Sequence, residues 1–205
     1  MGIISCITRN LDMCIALTYT GSASVIILLL IILIKIEGYK WLHLSIGLLT
    51  ASVVNEALKI FIGAPRPPAE EWIVSAEGPG FPSGHAAITS AFWTLVYMSS
   101  RDWILLLAGS MHIIGVGLSR VELGVHYPID VIGGVVQGSL TAYITLLLIN
   151  KSNIKNIDYY IIIILLIVSL SLLYMDPVLK TPLVLSTASI ILLILLYKFK
   201  SKIWI

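Results

Sequence analysis

Three short polar segments interrupt a chain that is otherwise strongly apolar. They run from Lys59 to Pro67, from Pro82 to His85 and from Ser119 to Asp130. The side chains in them that suggest chemistry are three cations, two histidines and a carboxylate: Lys59, Arg66, Arg120, His85, His126 and Asp130. Three cations with no matching cluster of carboxylates suit a multiply charged oxyanion such as phosphate. The segments therefore predict a phosphate-binding site.

Ser83 and Gly84 add backbone groups to this predicted site. Serine is a favoured residue at the start of a helix, and a glycine lets a bound anion approach the backbone closely. Free N–H groups in the first turn of the helix can then bind the same phosphate. The predicted phosphate-binding residues are Lys59, Arg66, Ser83, Gly84 and Arg120.

The two histidines supply the remaining chemistry of phosphoester cleavage, because one can attack phosphorus while the other protonates the departing oxygen. His126 and Asp130 are four residues apart, and a helix that begins near Tyr127 and Pro128 would bring them onto one face. Asp130 can then hold one imidazole nitrogen and leave the other free to attack. His126, His85 and Asp130 are therefore the candidate catalytic residues.

Each group has a simpler explanation when it is considered alone. Lys59 and Arg66 could be interfacial anchors whose charges reach the lipid headgroups. His85 could cap a helix, and His126 with Asp130 could be a structural hydrogen-bonded pair. A membrane transporter or lipid scramblase could also place such residues near one face. None of these alternatives requires all the groups to lie at the same depth in the membrane. The combined pattern therefore favours an enzyme.

The elements that must position these residues are membrane helices. Of the 205 residues, 58% are hydrophobic and only 12% are charged, and the mean hydropathy is +0.99. This composition excludes an ordinary soluble domain, and a net charge of +2 with scattered basic residues gives no nucleic-acid-binding surface. We therefore expect an all-α, polytopic membrane helix bundle, with a single integral-membrane domain over residues 1–205 and a motif core at 59–130.

Charged and turn residues divide the chain into about seven apolar segments, of a length suited to the ~30 Å hydrocarbon core. We predict six to seven transmembrane helices, because Pro182 shortens the last segment and it need not cross fully. The segments lie near 14–35, 41–62, 84–100, 102–119, 127–149, 158–175 and 181–198.

The distribution of basic residues predicts the orientation, because Lys and Arg in short loops favour the cytoplasmic side. In a seven-helix arrangement most loop lysines fall on one side, and the three polar segments fall on the other. We therefore expect an integral protein of the cell membrane whose active site lies on the extracytoplasmic face.

Together the three segments closely resemble the signature of the type-2 phosphatidic acid phosphatase superfamily. That signature reads Lys-x6-Arg-Pro, then Pro-Ser-Gly-His, then Ser-Arg-x5-His-x3-Asp, and every fixed position is matched between Lys59 and Asp130, about a third of the chain. Three ordered motifs are far more specific than any single one.

This resemblance implies a metal-independent phosphatase on a bundle of about six membrane helices, with no cofactor. It implies that His126 is the nucleophile and forms a phosphohistidine, that Asp130 raises its nucleophilicity, and that His85 is the general acid. The resemblance also implies that the five residues named above as phosphate-binding residues bind the phosphoryl group. The sequence also lacks a plausible carboxylate cage for Mg²⁺.

The expected partners are the bilayer and a lipid phosphate, because almost nothing outside the membrane could recognise a soluble headgroup. Compact family members with this orientation often act on polyprenyl diphosphates, so undecaprenyl or dolichyl diphosphate, converted to the monophosphate, is the first expectation. Phosphatidylglycerol phosphate or phosphatidate is the alternative. The lipid chain length, the oligomeric state and the roles of Glu70, Glu71 and Glu122 stay open.

Overall fold

The computed structural model describes residues 11–37 and 44–151, and every regular element in these ranges is helical. The chain divides into two units, Met1–Leu148 and Ile149–Ile205, and the described residues belong to the first unit apart from 149–151. The α-helices in the described ranges are α1 (Leu11–Thr20), α2 (Ala23–Glu37), α3 (Leu44–Ile62), α4 (Gly84–Ser100), α5 (Trp103–Glu122) and α6 (Pro128–Lys151). The predicted all-α class is confirmed.

Several of these helices are suited to cross a membrane. By length and composition α3, α5 and α6 pass this test, and α1 with α2 passes it as one bent pair, which gives up to four spans in the described residues. Helix α4 has 17 residues, which at about 1.5 Å per residue is slightly shorter than a ~30 Å hydrocarbon core. The segments at 158–175 and 181–198 lie outside the described residues, so the count of six to seven stays a prediction.

Four predicted segments correspond to single helices with small shifts at their ends. They are 41–62, 84–100, 102–119 and 127–149, which became α3, α4, α5 and α6. The apolar segment predicted at 14–35 is not a single straight helix. It contains α1 and α2, which are bent by 54° relative to each other.

The break between α1 and α2 lies at Gly21 and Ser22. Ser22 precedes α2, and its Oγ accepts a hydrogen bond from Val25 N at 3.4 Å, as an N-cap serine does. A Cβ on Gly21 would lie 2.5 Å from Val116 Cγ1 on α5, so the close approach of α1 to α5 requires glycine here. A helix-start signal inside an apolar run therefore bends the first span, and hydropathy alone does not reveal it.

Helix α4 is central and packs against α2, α3 and α5. Helix α6 also comes close to the beginning of α4, since a Cβ on Gly134 or Gly138 would collide with the carbonyl oxygens of Ser83 and Ala87, respectively. Small residues four positions apart allow such close packing of membrane helices. The start of α6 is thereby held beside the start of α4.

The ends of four helices meet at one end of the bundle. Helix α3 finishes with Gly63 in the left-handed conformation, and the Gly63 N–H donates to Lys59 O at 2.9 Å, as in a common helix C-cap. The loop at 63–83 then leads into α4, and a short connection at 123–127 joins α5 to α6. The Ile73 N–H donates to Leu123 O at 3.0 Å, which ties the two connections together.

Candidate active site

Arg66 links the loop between α3 and α4 to the connection between α5 and α6. Its Nε donates to Gly78 O at 2.9 Å and its Nη2 to Glu77 O at 2.8 Å, both within its own loop. Its Nη1 donates to Val125 O at 2.8 Å and lies 3.0 Å from His126 Nε2. These contacts use the fixed fork of the guanidinium, which a lysine could not reproduce.

Apolar packing supports the same loop. Trp72 packs against Leu123 and Val125, and its Nε1 donates to Pro67 O at 2.9 Å. The indole is therefore part of the protein's own packing. Two of the carboxylates whose roles the sequence left open, Glu70 and Glu71, are instead exposed on the loop.

The contacts of His126 define the protonation of its imidazole ring. Arginine is only a donor, so the Nε2 that faces Arg66 Nη1 must be an acceptor, with its lone pair toward Arg66. The ring proton therefore lies on Nδ1, which is 3.4 Å from Asp130 Oδ2. The same Oδ2 accepts from Tyr127 N at 2.9 Å, which holds the carboxylate in place. Asp130 thus holds one nitrogen, as the four-residue spacing predicts, and the other nitrogen faces Arg66.

The surroundings of His126 keep its imidazole neutral. Its side chain is buried, and this burial is the main cause that lowers its pKa to about 2. The positive charges of Arg66, Arg120 and Lys59, followed by His85, lower the pKa further. A neutral ring has the lone pair that attack on phosphorus requires.

The last turn of α3 faces the start of α4. A Cβ on Gly84 would lie 3.9 Å from Lys59 Cε and 3.4 Å from Asn55 Oδ1, so Gly84 brings the α4 backbone close to both. Lys59 is buried, and its Nζ donates to Pro79 O at 3.0 Å. A lysine therefore lies beside the helix start that the sequence predicts to bind phosphate.

Ser83 occupies the N-cap position of α4, as predicted, but its side chain makes no capping hydrogen bond. Its backbone instead links the start of α4 to the start of α6, since the Ser83 N–H donates to Asp130 O at 2.8 Å. Its Oγ is buried and has no hydrogen-bond partner among the described residues. The predicted N-cap position is therefore confirmed, although the cap uses the backbone of Ser83 and not its hydroxyl.

His85 and Arg120 complete the group. His85 is partly buried in the first turn of α4 and is close enough to His126 to affect its pKa. Arg120 is in the last turn of α5 and is 5% exposed. The structure thus brings all eight predicted residues to one end of the bundle. Their catalytic and binding roles remain predictions.

Three polar residues near this group were not assigned a role from the sequence. Thr18 on α1 contacts Arg120, and Asn55 Nδ2 donates to Gln137 Oε1 at 3.2 Å, which links α3 to α6. A polar side chain within an apolar helix is costly unless it is paired, and this cost is the signal that could have identified them.

Within the described ranges, no three or more His, Cys, Asp or Glu side chains are grouped so that they could hold a metal ion. The arrangement offers three cations, a helix start and a neutral His126 beside the carboxylate of Asp130. These groups can bind a phosphoryl group and attack it in line. The class that the fold and the site define is a helical membrane protein that gathers three cations and two histidines at one end of its bundle.

Comparison with known families agrees with this class. The model of the PAP2 superfamily matches residues 40–154, more than half of the chain. The chain therefore belongs to the PAP2 superfamily, the family that its motifs resemble.

Two relatives of known activity share part of the sequence. An undecaprenyl-diphosphatase from Sulfolobus acidocaldarius is 36% identical over 78 residues, which are 38% of this chain and 37% of that protein. Glucose-6-phosphatase 3 from Mus musculus is 35% identical over 79 residues, or 33% of this chain and 23% of that protein. The match thus spans well under two thirds of either relative.

Two solved structures share the fold. The transmembrane PAP2-type phosphatidylglycerolphosphate phosphatase from Bacillus subtilis aligns with a TM-score of 0.62 at 23% identity, over 71% of this chain and 79% of that chain. LpxE from Aquifex aeolicus aligns with a TM-score of 0.60 at 26% identity, over 65% of this chain and 82% of that chain. Both comparisons support an integral membrane protein.

Proposed function

We propose that this PAP2 protein is a phosphatase that removes a phosphate from a membrane lipid through a phosphohistidine, without a metal ion. The observation that carries the proposal is the orientation of His126. Its Nδ1 faces Asp130, and its Nε2 lone pair faces the cation Arg66 at 3.0 Å. Membership of the PAP2 superfamily and the phosphatase names of its relatives support the same conclusion.

In the first step, His126 Nε2 attacks phosphorus and forms the N–P bond while the bond from phosphorus to the leaving oxygen breaks. His85, which is protonated when the phosphate is bound, donates its proton to that oxygen and becomes neutral. The Nδ1 proton of His126 stays hydrogen-bonded to Asp130, whose negative charge stabilises the positive charge that develops on the ring. The predicted binding residues stabilise the charge on the equatorial oxygens: Lys59, Arg66, Ser83, Gly84 and Arg120.

In the second step, water attacks the phosphohistidine. His85, now neutral, takes a proton from the water, and the N–P bond to His126 breaks to release inorganic phosphate. The ring of His126 returns to its neutral form with its lone pair on Nε2. Proton donor and acceptor are thus the same residue in successive steps, and no further reactant is needed.

The substrate that we propose first is a polyprenyl diphosphate, such as undecaprenyl or dolichyl diphosphate, which is converted to the monophosphate. The name of the Sulfolobus relative supports this choice. Apolar residues are exposed around the helices that carry the site, among them Phe61 and Ile129, so a lipid tail can lie against the bundle while its phosphate reaches the site. Phosphatidylglycerol phosphate or phosphatidate is the second candidate, since a solved phosphatase for the former shares the fold.

Release of phosphate by the purified protein in proteoliposomes tests this proposal. The panel contains a polyprenyl diphosphate, a polyprenyl monophosphate, phosphatidylglycerol phosphate, phosphatidate and soluble glucose 6-phosphate. We expect release from a lipid substrate in the presence of EDTA, inhibition by orthovanadate, and no release by a His126→Gln control. Lipid movement between leaflets without phosphate release would instead support a transporter or scramblase.

We further propose that the site opens on the extracytoplasmic face of the cell membrane, as the distribution of basic residues predicts. Single cysteines at exposed Ser75, on the loop beside the site, and at exposed Ser100, at the other end of α4, test this orientation. In intact cells, a membrane-impermeant maleimide should label Ser75→Cys above the background of the parent protein and leave Ser100→Cys unlabelled. The reverse pattern would contradict the orientation.

A further inference from the structure

Thr18, on the first helix, contacts the arginine that the motifs place in the phosphate site. Its Oγ1 accepts a hydrogen bond from Arg120 Nη1 at 3.2 Å and lies 3.1 Å from Ser119 Oγ. Thr18 and Arg120 are each 5% exposed, and Ser119 is fully buried. A buried guanidinium requires hydrogen-bond partners, and Thr18 supplies one from a distant part of the chain.

The hydroxyl protons in this group can be assigned from the available donors and acceptors. Ser119 Oγ lies 2.7 Å from Val116 O, a carbonyl that can only accept, so Ser119 donates its single proton there. Thr18 then donates to Ser119, and its own lone pairs face Arg120. The chain of hydrogen bonds runs from Arg120 through Thr18 and Ser119 to Val116 O. The motif residue Ser119 therefore helps to hold Arg120 in place through Thr18.

Only part of the Arg120 guanidinium is used in these contacts. Nη1 is bound to Thr18, whereas Nε is buried and has no hydrogen-bond partner within the described part of the chain. A second donor of the same planar fork therefore remains for an anion. The contact with Thr18 holds one end of the guanidinium and so restricts the directions in which that donor can point.

The position of Thr18 is itself constrained by the break in the first span. Gly21 follows Thr18 by less than one turn and approaches Val116 on α5 so closely that a Cβ would lie 2.5 Å from it. Val116 is fully buried and has little room to move. The bent first span is thus held against the face of α5 from which Arg120 projects.

We propose that Thr18 is a positioning residue for phosphate binding, which acts by orienting the guanidinium of Arg120. The inference rests on the proposed function, because it assigns a partner to one of the phosphate-binding residues. It also gives the first span, which carries none of the three motifs, a role in the active site.

Thr18→Val tests the proposal, since it removes the hydroxyl and keeps a branched side chain. We expect about a ten-fold lower kcat/KM for phosphate release and about a ten-fold weaker inhibition by orthovanadate, as for the loss of one hydrogen bond to a charged group. Thr18→Ser retains the hydroxyl and should restore most of both values. Orthovanadate should also raise the melting temperature of the wild type more than that of Thr18→Val.

Thr20→Val is the matched control on the same helix. Thr20 Oγ1 donates to Leu17 O at 2.7 Å and lies 2.8 Å from His112 Nε2, so it is bonded to a different group of side chains. This variant should keep the wild-type kcat/KM and orthovanadate response. In an Arg120→Gln background, Thr18→Val should cause no further loss of orthovanadate stabilisation, because the group that it orients is gone.

The outcomes separate this inference from the proposed function. A wild-type orthovanadate response in Thr18→Val, or equal losses in Thr18→Val and Thr20→Val, would overturn the role of Thr18. If the wild type releases no phosphate but is stabilised by orthovanadate through Thr18, the proposed function fails and the role of Thr18 stands. If the wild type releases phosphate but orthovanadate does not stabilise it, the role of Thr18 is overturned and the proposed function stands.

Discussion

Asp130→Asn is the most informative change at the proposed catalytic pair, because it removes a charge while preserving size. The Oδ2 of Asp130 accepts from both His126 Nδ1, at 3.4 Å, and Tyr127 N, at 2.9 Å. An asparagine can place its carbonyl oxygen in the same position and accept both hydrogen bonds. The orientation of the ring is then preserved, and the effect reports mainly the lost negative charge.

The size of the effect follows from the observed distance. Two unit charges at 3.4 Å interact by about 5 kcal/mol at an effective dielectric constant of about 20. If about half of a charge has developed on the ring of His126 in the transition state, the loss is about 2 to 3 kcal/mol, or about 10²-fold in rate. We therefore expect Asp130→Asn to lower kcat by about 10²-fold with little change in KM.

The assay is phosphate release by purified variants in detergent over a range of lipid substrate concentrations. Asp102→Asn is the matched control, since Asp102 caps α5 through a hydrogen bond from Ile104 N at 2.7 Å. Asparagine caps helices equally well, and Asp102 is about 27 Å from Arg120 along α5 at about 1.5 Å per residue. A kcat for Asp130→Asn within a few-fold of the wild type, or an equal loss in Asp102→Asn, would refute the reasoning.

Other variants test the loop, the helix packing and the charge state. Arg66→Lys should lower kcat/KM at least 10²-fold, because three backbone acceptors lose the guanidinium fork; wild-type kinetics would contradict this role. Gly138→Ala should destabilise the protein by about 1 to 3 kcal/mol, seen as a lower melting temperature, because its Cβ meets Ala87 O, whereas exposed Val136→Ala should not. The lowered pKa of His126 means that the unfolded chain binds the extra proton below about pH 6.5, so stability should fall as the pH drops from about 7 to 5. His126→Gln should lose less stability over this range, and equal losses would contradict a neutral His126. EDTA should leave phosphate release unchanged, and restoration of activity by added Mg²⁺ or Zn²⁺ would contradict the metal-independent reaction.

Much of the site could be predicted because ionisable residues are costly in an apolar chain and are therefore few. The spacing of His126 and Asp130 required only that α6 begin near Pro128, which it does. Successive membrane helices run in opposite directions. This alone predicts that the ends of α3 and α5 lie on the same side of the bundle as the starts of α4 and α6. These inferences use local spacing and connectivity, which the sequence contains.

Contacts between distant segments could not be predicted in the same way. Thr18 and Arg120 are 102 residues apart, and neither hydropathy nor spacing relates them. The close approach of Gly21 to Val116 is a property of packing, which the sequence does not reveal. The carbonyl oxygens that bind Arg66 belong to Glu77 and Gly78, and backbone acceptors have no side-chain signal.

The central claim is that His126 attacks phosphorus, and trapping of the covalent intermediate tests it most directly. The purified protein is mixed with a lipid substrate labelled in the phosphate that is removed, quenched within one turnover and digested. We predict an acid-labile, base-stable phosphate on the peptide that contains His126, and no label in His126→Gln. Label on another residue, or labelling and turnover that persist in His126→Gln, would contradict the account.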